Sequence, residues 1–247
     1  MATDINQVLQ LANQGDAEAQ NQLGLMYHQG QGLHRDYAKA IEWYQKAADQ
    51  GYAGAQYNIG IMYNQGLGLP QNSIKAVEWY TKAASQGIAE AQYNLGIMYY
   101  QDQRIPKDPA RALKWIQKSA IQGYPEAQNA LGLMYYQGKV VNQSYIAARE
   151  WYLKAANQGN TSAQNNLGVM YDKGQGVPKN YTKAVQWYTK AANLGNAKAQ
   201  NNLGAMYGKG NGVQVDHTKA KEWVKRACEN GLQISCSNYS LINKVVK

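Results

Sequence analysis

Apolar and polar positions along this chain follow a helical rhythm that switches register twice in every 36 residues. Residues 17–29, AEAQNQLGLMYHQ, place Ala19, Leu23, Met26 and Tyr27 at i, i+4, i+7 and i+8, one apolar stripe on a predicted helix A. Residues 36–49, DYAKAIEWYQKAAD, place Ala40, Trp43, Tyr44, Ala47 and Ala48 likewise on a predicted helix B. Gly51 then ends helix B as a left-handed cap. Neither helix can bury its stripe alone, so neighbouring pairs must stack to supply the core.

The pairing recurs without insertion. Tryptophan stands at 43, 79, 115, 151, 187 and 223, and every methionine but the first follows the same step from Met26 to Met206. Six units result: 16–51, 52–87, 88–123, 124–159, 160–195 and 196–231. Residues 1–15 form a half-repeat cap whose positions 4–14 align with the second half of helix B. Residues 232–247 align with a helix A that has lost its Leu-Gly and Met-Tyr signature, and are a terminal cap. Gly24 and its five copies lie mid-helix, at a cost of about 1 kcal/mol each relative to alanine. That cost predicts close packing of helix A on helix B, where a Cβ would clash.

The stretch NNLGVMYDKGQGVPK (166–180) puts a GxG ahead of a lysine and a helix start, the arrangement of a phosphate loop. The same GxG recurs as Gly30/Gly32, Gly66/Gly68 and Gly210/Gly212, always between helices A and B and never with a third glycine or GK[ST]. These are turn glycines with positive φ. Units three (QDQRIPKDP) and four (QGKVVNQ) break the rule, and their loops are expected to take another path.

The pattern A-x-A-Q-x-x-L-G-x-M-Y-x-x-G-x-G…A-x-x-W-Y-x-K-A-A-x-x-G resembles the Sel1-like repeat family, relatives of the tetratricopeptide repeats. AGAQYNIGIMYNQGLGLPQNSIKAVEWYTKAASQG (53–87) is close to an ideal copy. The resemblance covers nearly the whole chain and implies an all-α, right-handed superhelical α/α solenoid that holds other molecules. It implies no reaction. At the C-terminal end, Cys228 and Cys236 resemble in spacing the helix-to-helix pairs of the cysteine-rich Sel1-like proteins, which are exported and disulfide-bonded. That likeness implies a Cys228–Cys236 bridge and a periplasmic or secreted protein. The residues alone equally allow two small buried thiols and a cytoplasmic location.

Composition narrows the function. The chain is 45% hydrophobic and 17% charged, a globular balance, and no apolar run approaches a membrane span. Its opening Met-Ala-Thr-Asp lacks the basic and apolar regions of a signal peptide. There are three histidines and no HExxH, SxxK, GxSxG or CxxC, so neither catalytic residues, a metal site nor a cofactor is expected. Asn-x-Ser/Thr at Asn142, Asn160, Asn180 and Asn238 is what an asparagine-rich chain produces by chance. Residues 160–247 hold 12 Lys/Arg against 4 Asp/Glu, whereas residues 1–51 hold 3 against 6. A basic end suits an acidic partner, anionic lipid or nucleic acid, but most lysines fall on helix B, which disfavours nucleic acid.

In solenoids of this type helix A lines the concave face. The positions left facing it carry an Asn/Tyr ladder: Asn21, Tyr57, Tyr93, Asn129, Asn165 and Asn201 in one row, Asn58, Asn94, Asn166 and Asn202 in the next. His28, Asn64, Tyr100, Tyr136 and Asp172 form a third. Amides both donate to and accept from a peptide backbone, and tyrosine offers a rigid apolar face with a polar tip. The second row serves equally well to bridge helices. The expectation is a monomeric, non-enzymatic scaffold, a bacterial adaptor or immunity-type protein, gripping a protein segment in this groove. The alternative, following the cysteine-rich relatives, is a binder or weak hydrolase of β-lactam or cell-wall peptide.

Overall fold

The computed structural model describes residues 5–245, and side-chain surroundings as far as Tyr239; the ends of both expected caps, residues 1–4 and 246–247, lie outside. All regular structure among these residues is α-helix, and it divides into two compact units. The first, Met1–Gln122, holds the cap helix α1 (Ile5–Asn13) and three helix pairs: α2 (Ala17–Gln29) with α3 (Tyr37–Asp49), α4 (Ala53–Gln65) with α5 (Ser73–Ser85), and α6 (Ala89–Gln101) with α7 (Pro109–Ile121). The second, Gly123–Lys247, holds α8 (Pro125–Gln137) with α9 (Tyr145–Asn157), α10 (Thr161–Lys173) with α11 (Tyr181–Asn193), α12 (Ala197–Lys209) with α13 (His217–Glu229), and the cap helix α14 (Gln233–Val245). Within each unit every helix packs on its neighbours in sequence, an all-α solenoid arrangement.

Local chemistry sets each boundary. Asp36 accepts from the Lys39 amide at 3.0 Å and starts α3, and Asn72, Asp108, Ser144, Asn180 and Asp216 start the other B helices in the same way. At the end of α3, Gly51 at φ 87° lets the Tyr52 amide reach back to Ala47 and the Gly51 amide to Ala48. That double closure satisfies carbonyls the helix leaves open.

The core lies between the two helices of a pair. A Cβ built on Gly24 would stand 2.6 Å from Cδ1 of Tyr44, and Gly60 meets Tyr80 at the same distance. The mid-helix glycines thus allow the close packing the sequence predicts: each makes room for a B-helix side chain, and a Cβ on Gly96, Gly132 or Gly204 would also lie 3.1, 3.2 or 3.0 Å from the carbonyl oxygen of Ala112, Ala148 or Ala220. That side chain belongs to the residue after each tryptophan: Tyr44, Tyr80, Tyr152 and Tyr188 are fully buried, as is Ile116. The tryptophans are a correction to the sequence reading, which placed them in the core stripe. They are half-buried, and Lys46 lies 3.8 Å from the ring centre of Trp43, with Lys82, Lys118, Lys154, Lys190 and Arg226 repeating the stack. The helix-B cations thus cover aromatic faces.

The loops follow their glycines. The second glycine of GxG passes close to the preceding B helix: a Cβ on Gly212 would lie 2.5 Å from the Tyr181 carbonyl carbon. In unit three Asp102 replaces the left-handed glycine with extended backbone (φ −67°, ψ 126°), and the Arg104 guanidinium pairs with its carboxylate at 2.8 Å. That loop diverges as expected. Unit four diverges less than expected, because Gly138 still caps α8 at φ 67° and only Val140 departs from the glycine pattern.

Candidate functional site

The A helices bring the predicted ladder together, and much of it forms a seam between repeats. Asn58 Nδ2 donates to Asn21 Oδ1 at 2.9 Å, Asn94 to the Tyr57 hydroxyl at 3.4 Å, Asn166 to Asn129 at 3.1 Å and Asn202 to Asn165 at 3.0 Å. Each bond joins one A helix to the A helix before it. The second row therefore bridges helices, and it spends acceptors of the first row in doing so. Repeat four has Ala130 in the second row. Asn165 is buried, while Asn21, Tyr57, Tyr93, Asn129 and Asn201 remain half-exposed. Asn201 instead accepts from the Ser235 hydroxyl of the cap helix at 2.9 Å.

The third row sits over the core tyrosines. His28 Nδ1 lies 3.3 Å from the Tyr44 hydroxyl, Asn64 hydrogen-bonds Tyr80, and Asp172 accepts from Tyr188. Burial pushes those phenols above their ordinary range and holds His28 below its own. The row thus satisfies hydroxyls that would otherwise end in a dry core. Where helix B lacks the tyrosine, at Ile116 and Val224, the third-row residue is Tyr100 and Gly208. Tyr136 has a different partner: its hydroxyl donates to Gln175 at 2.6 Å and its ring meets Tyr145 edge-on at 5.3 Å.

A further row went unassigned in the sequence. The glutamine of A-x-A-Q is buried and staples repeats: Gln20 Nε2 donates to Ala12 O at 3.2 Å, and its oxygen accepts from Gln50 at 2.8 Å. Gln86 does the same for Gln56, Gln122 for Gln92, Gln158 for Gln128 and Asn230 for Gln200. A glutamine at a buried alanine-rich helix start is the signal that could have revealed it.

At the C-terminal end Cys228 and Cys236 form a disulfide with Cα atoms 4.6 Å apart, tying α13 to α14. Among the described residues no three His, Cys, Asp or Glu side chains converge in a metal-binding group, and no helix is long and apolar enough to cross a membrane.

Six consecutive matches to the Sel1 repeat cover residues 17–52, 53–88, 89–124, 125–160, 161–196 and 197–232. Among solved structures the chain is similar to c5321, a protective antigen of uropathogenic Escherichia coli strains displaying an SLR fold, at 40% identity and a TM-score of 0.87. That match covers 97% of this chain and 51% of the other, so the chain spans about half the length of that antigen. A Sel1 repeat protein from Oxalobacter formigenes is 34% identical with a TM-score of 0.81, over 87% of this chain and 86% of that one. Immunity protein PA5088 from Pseudomonas aeruginosa, at 22% identity and TM-score 0.58 over 87% and 81% of the two chains, shares the fold. No curated protein matches the chain. With six repeats matched from residue 17 to 232, the chain belongs to the Sel1 repeat family.

Proposed function

We propose that this protein is a non-enzymatic interaction scaffold, of adaptor or immunity type, that binds a protein segment along the exposed side of its A helices. The observation that supports this most is the chemistry of that side. Half-buried, uncharged Asn and Tyr side chains recur there at fixed spacing, with part of their hydrogen-bonding capacity turned to the neighbouring repeat and part left over. Such a surface recognises backbone amides and apolar side chains at small desolvation cost. Within the first unit Tyr93 and Tyr100 stand half-exposed on one helix, α6, and are the proposed anchors, while Tyr57 is held by Asn94 and packs at 5.9 Å from the Tyr80 ring. Half-exposed first- and third-row residues of the same unit extend the contact, and the partner is proposed to be acidic, to suit a chain with 25 Lys and Arg against 16 Asp and Glu. The disulfide favours an oxidising compartment, periplasmic or extracellular, and the scaffold is proposed to act as a monomer.

Capture from a lysate of the source organism on immobilised protein, followed by mass spectrometry and reverse capture with the tagged partner, tests this. The reading expects one protein that survives both directions and a wash at moderate salt. Turnover of nitrocefin by the purified chain would contradict the non-enzymatic half of the proposal.

A further inference from the structure

The sixth repeat is hollow where four others are filled. In those four, the residue after the tryptophan is a tyrosine buried between the paired helices, its ring edge against the mid-helix glycine. The sixth repeat has Val224 there, and two neighbouring positions shrink with it. Gly208 stands where the other repeats have His28, Asn64, Tyr100, Tyr136 and Asp172. Ala205 stands where they have Leu25, Ile61, Ile97, Leu133 and Val169. The result is a pocket of about 460 Å³ walled by Gly204, Ala205, Gly208, Ala220 and Val224. The pocket is open to solvent and within the size range of small-ligand sites. The third repeat also lacks the tyrosine, but there Ile116 is fully buried against Gly96 and Tyr100 stands in place of Gly208.

The mouth of the pocket is basic. Lys209, His217 and Lys221 line it, and the carboxylates of α13 and its cap are engaged elsewhere: Asp216 with Lys219 at 3.4 Å, Glu222 with Arg226, and Glu229 with Lys225 at 3.5 Å. Lys209 and Lys221 have no carboxylate partner among the described residues. Asn201, a first-row residue of the proposed binding face, forms part of the same wall.

We propose that this pocket receives a tyrosine or phenylalanine side chain of a protein partner, at a point where the partner's flanking residues are acidic. The shape argument is internal: the chain fills the equivalent space four times with a phenol ring of its own, seated against a helix glycine. The charge argument is the two rim lysines, neither with a carboxylate partner among the described residues, although Lys221 also lies 5.9 Å from the Tyr239 ring centre. Assigning the ring to a protein rests on the proposed function, whereas the pocket's preference for an aromatic group beside a carboxylate does not.

The probe is the blocked tripeptide acetyl-Glu-Tyr-Glu-amide, titrated into the full chain while the methyl signals of Ala205 and Val224 are followed by NMR. Saturable shifts at both methyls are expected. Val224→Tyr should weaken binding about tenfold or more, since a buried aromatic anchor is commonly worth that much. The same variant should keep the melting temperature, because tyrosine is native at this place in four repeats. Ala205→Leu, which narrows the mouth with a residue found in two other repeats, is the second blocking variant and should also weaken binding. Acetyl-Lys-Tyr-Lys-amide should bind several-fold more weakly than the acidic peptide, and Lys209→Glu with Lys221→Glu should reverse that order. Unchanged binding in both blocking variants, or indifference to peptide charge, overturns the proposal. Binding of 4-hydroxyphenylacetate without binding of the peptide overturns its protein-partner half and makes this a small-acid site. The titration needs no natural partner, so its failure leaves the Tyr93/Tyr100 face standing, and failure of that face leaves the pocket standing.

Discussion

Asn58 on α4 donates its side-chain amide to Asn21 on α2 across 2.9 Å, one repeat apart. The pair fixes how one A helix sits on the next, and its copy between Asn202 and Asn165 does so with a buried acceptor. Removing the donor strands that acceptor. Asn58→Ala should therefore cost about 1 kcal/mol and Asn202→Ala more, toward 2–3 kcal/mol. Equal losses in chemical denaturation would show that burial of Asn165 carries no penalty.

The tyrosine after each tryptophan, and not the tryptophan, should dominate core stability. Tyr80 is fully buried and packs on Gly60, so Tyr80→Ala should cost about 3–5 kcal/mol. Trp79 is half-buried with Lys82 stacked at 4.0 Å, and its truncation should cost roughly half as much. Urea melts of the two variants decide it, and a larger loss at Trp79 would reverse the assignment.

Leu194 stands where other repeats place the glutamine or asparagine that pairs with the buried row, and Gln164 Oε1 is left without a hydrogen-bond partner. The leucine is itself exposed. Leu194→Gln should restore the donor and stabilise the protein by about 1 kcal/mol. A neutral or lower melting temperature would mean that water already serves this oxygen.

How far the sequence disclosed this molecule depends on what repeats. The 36-residue step disclosed the helix pairs and the glycine turns between them, because periodic apolar positions and glycines report local backbone directly. The Trp/Tyr exchange was not readable, since both residues lie on one helical stripe and only the angle of packing decides which ring goes inside. The sequence left the second row open between recognition and helix bridging for a related reason. Asparagine at a half-exposed position suits recognition and helix bridging alike, and the 37-residue offset between donor and acceptor appears only when the A helices are set side by side. The Val224 pocket is legible in hindsight as three small residues in one repeat, but only once the tyrosine they replace is known to be buried.

The Cys228–Cys236 bridge closes a short loop between α13 and α14. Cys228→Ser with Cys236→Ser should cost about 2.5 kcal/mol by loop entropy. The loss should be local: hydrogen exchange should quicken in α14 and leave α2 to α7 unchanged. Uniform loss of protection along the chain would show that the cap stabilises every repeat.

The central claim is that a protein partner binds the A-helix face, and one calorimetric comparison tests it most directly. The captured partner is titrated into the wild type and into Tyr93→Ala/Tyr100→Ala, with melting temperatures measured on the same samples. One aromatic anchor at an interface centre is commonly worth about 2 kcal/mol or more and such losses do not add in full, so the double variant should bind at least about 30-fold more weakly. Its melting temperature should move little, because both rings are half-buried on α6 and outside the buried core. Wild-type affinity in the double variant, with binding lost instead when the helix-B lysines Lys183 and Lys190 are reversed to glutamate, would contradict the claim and move the site to the other face.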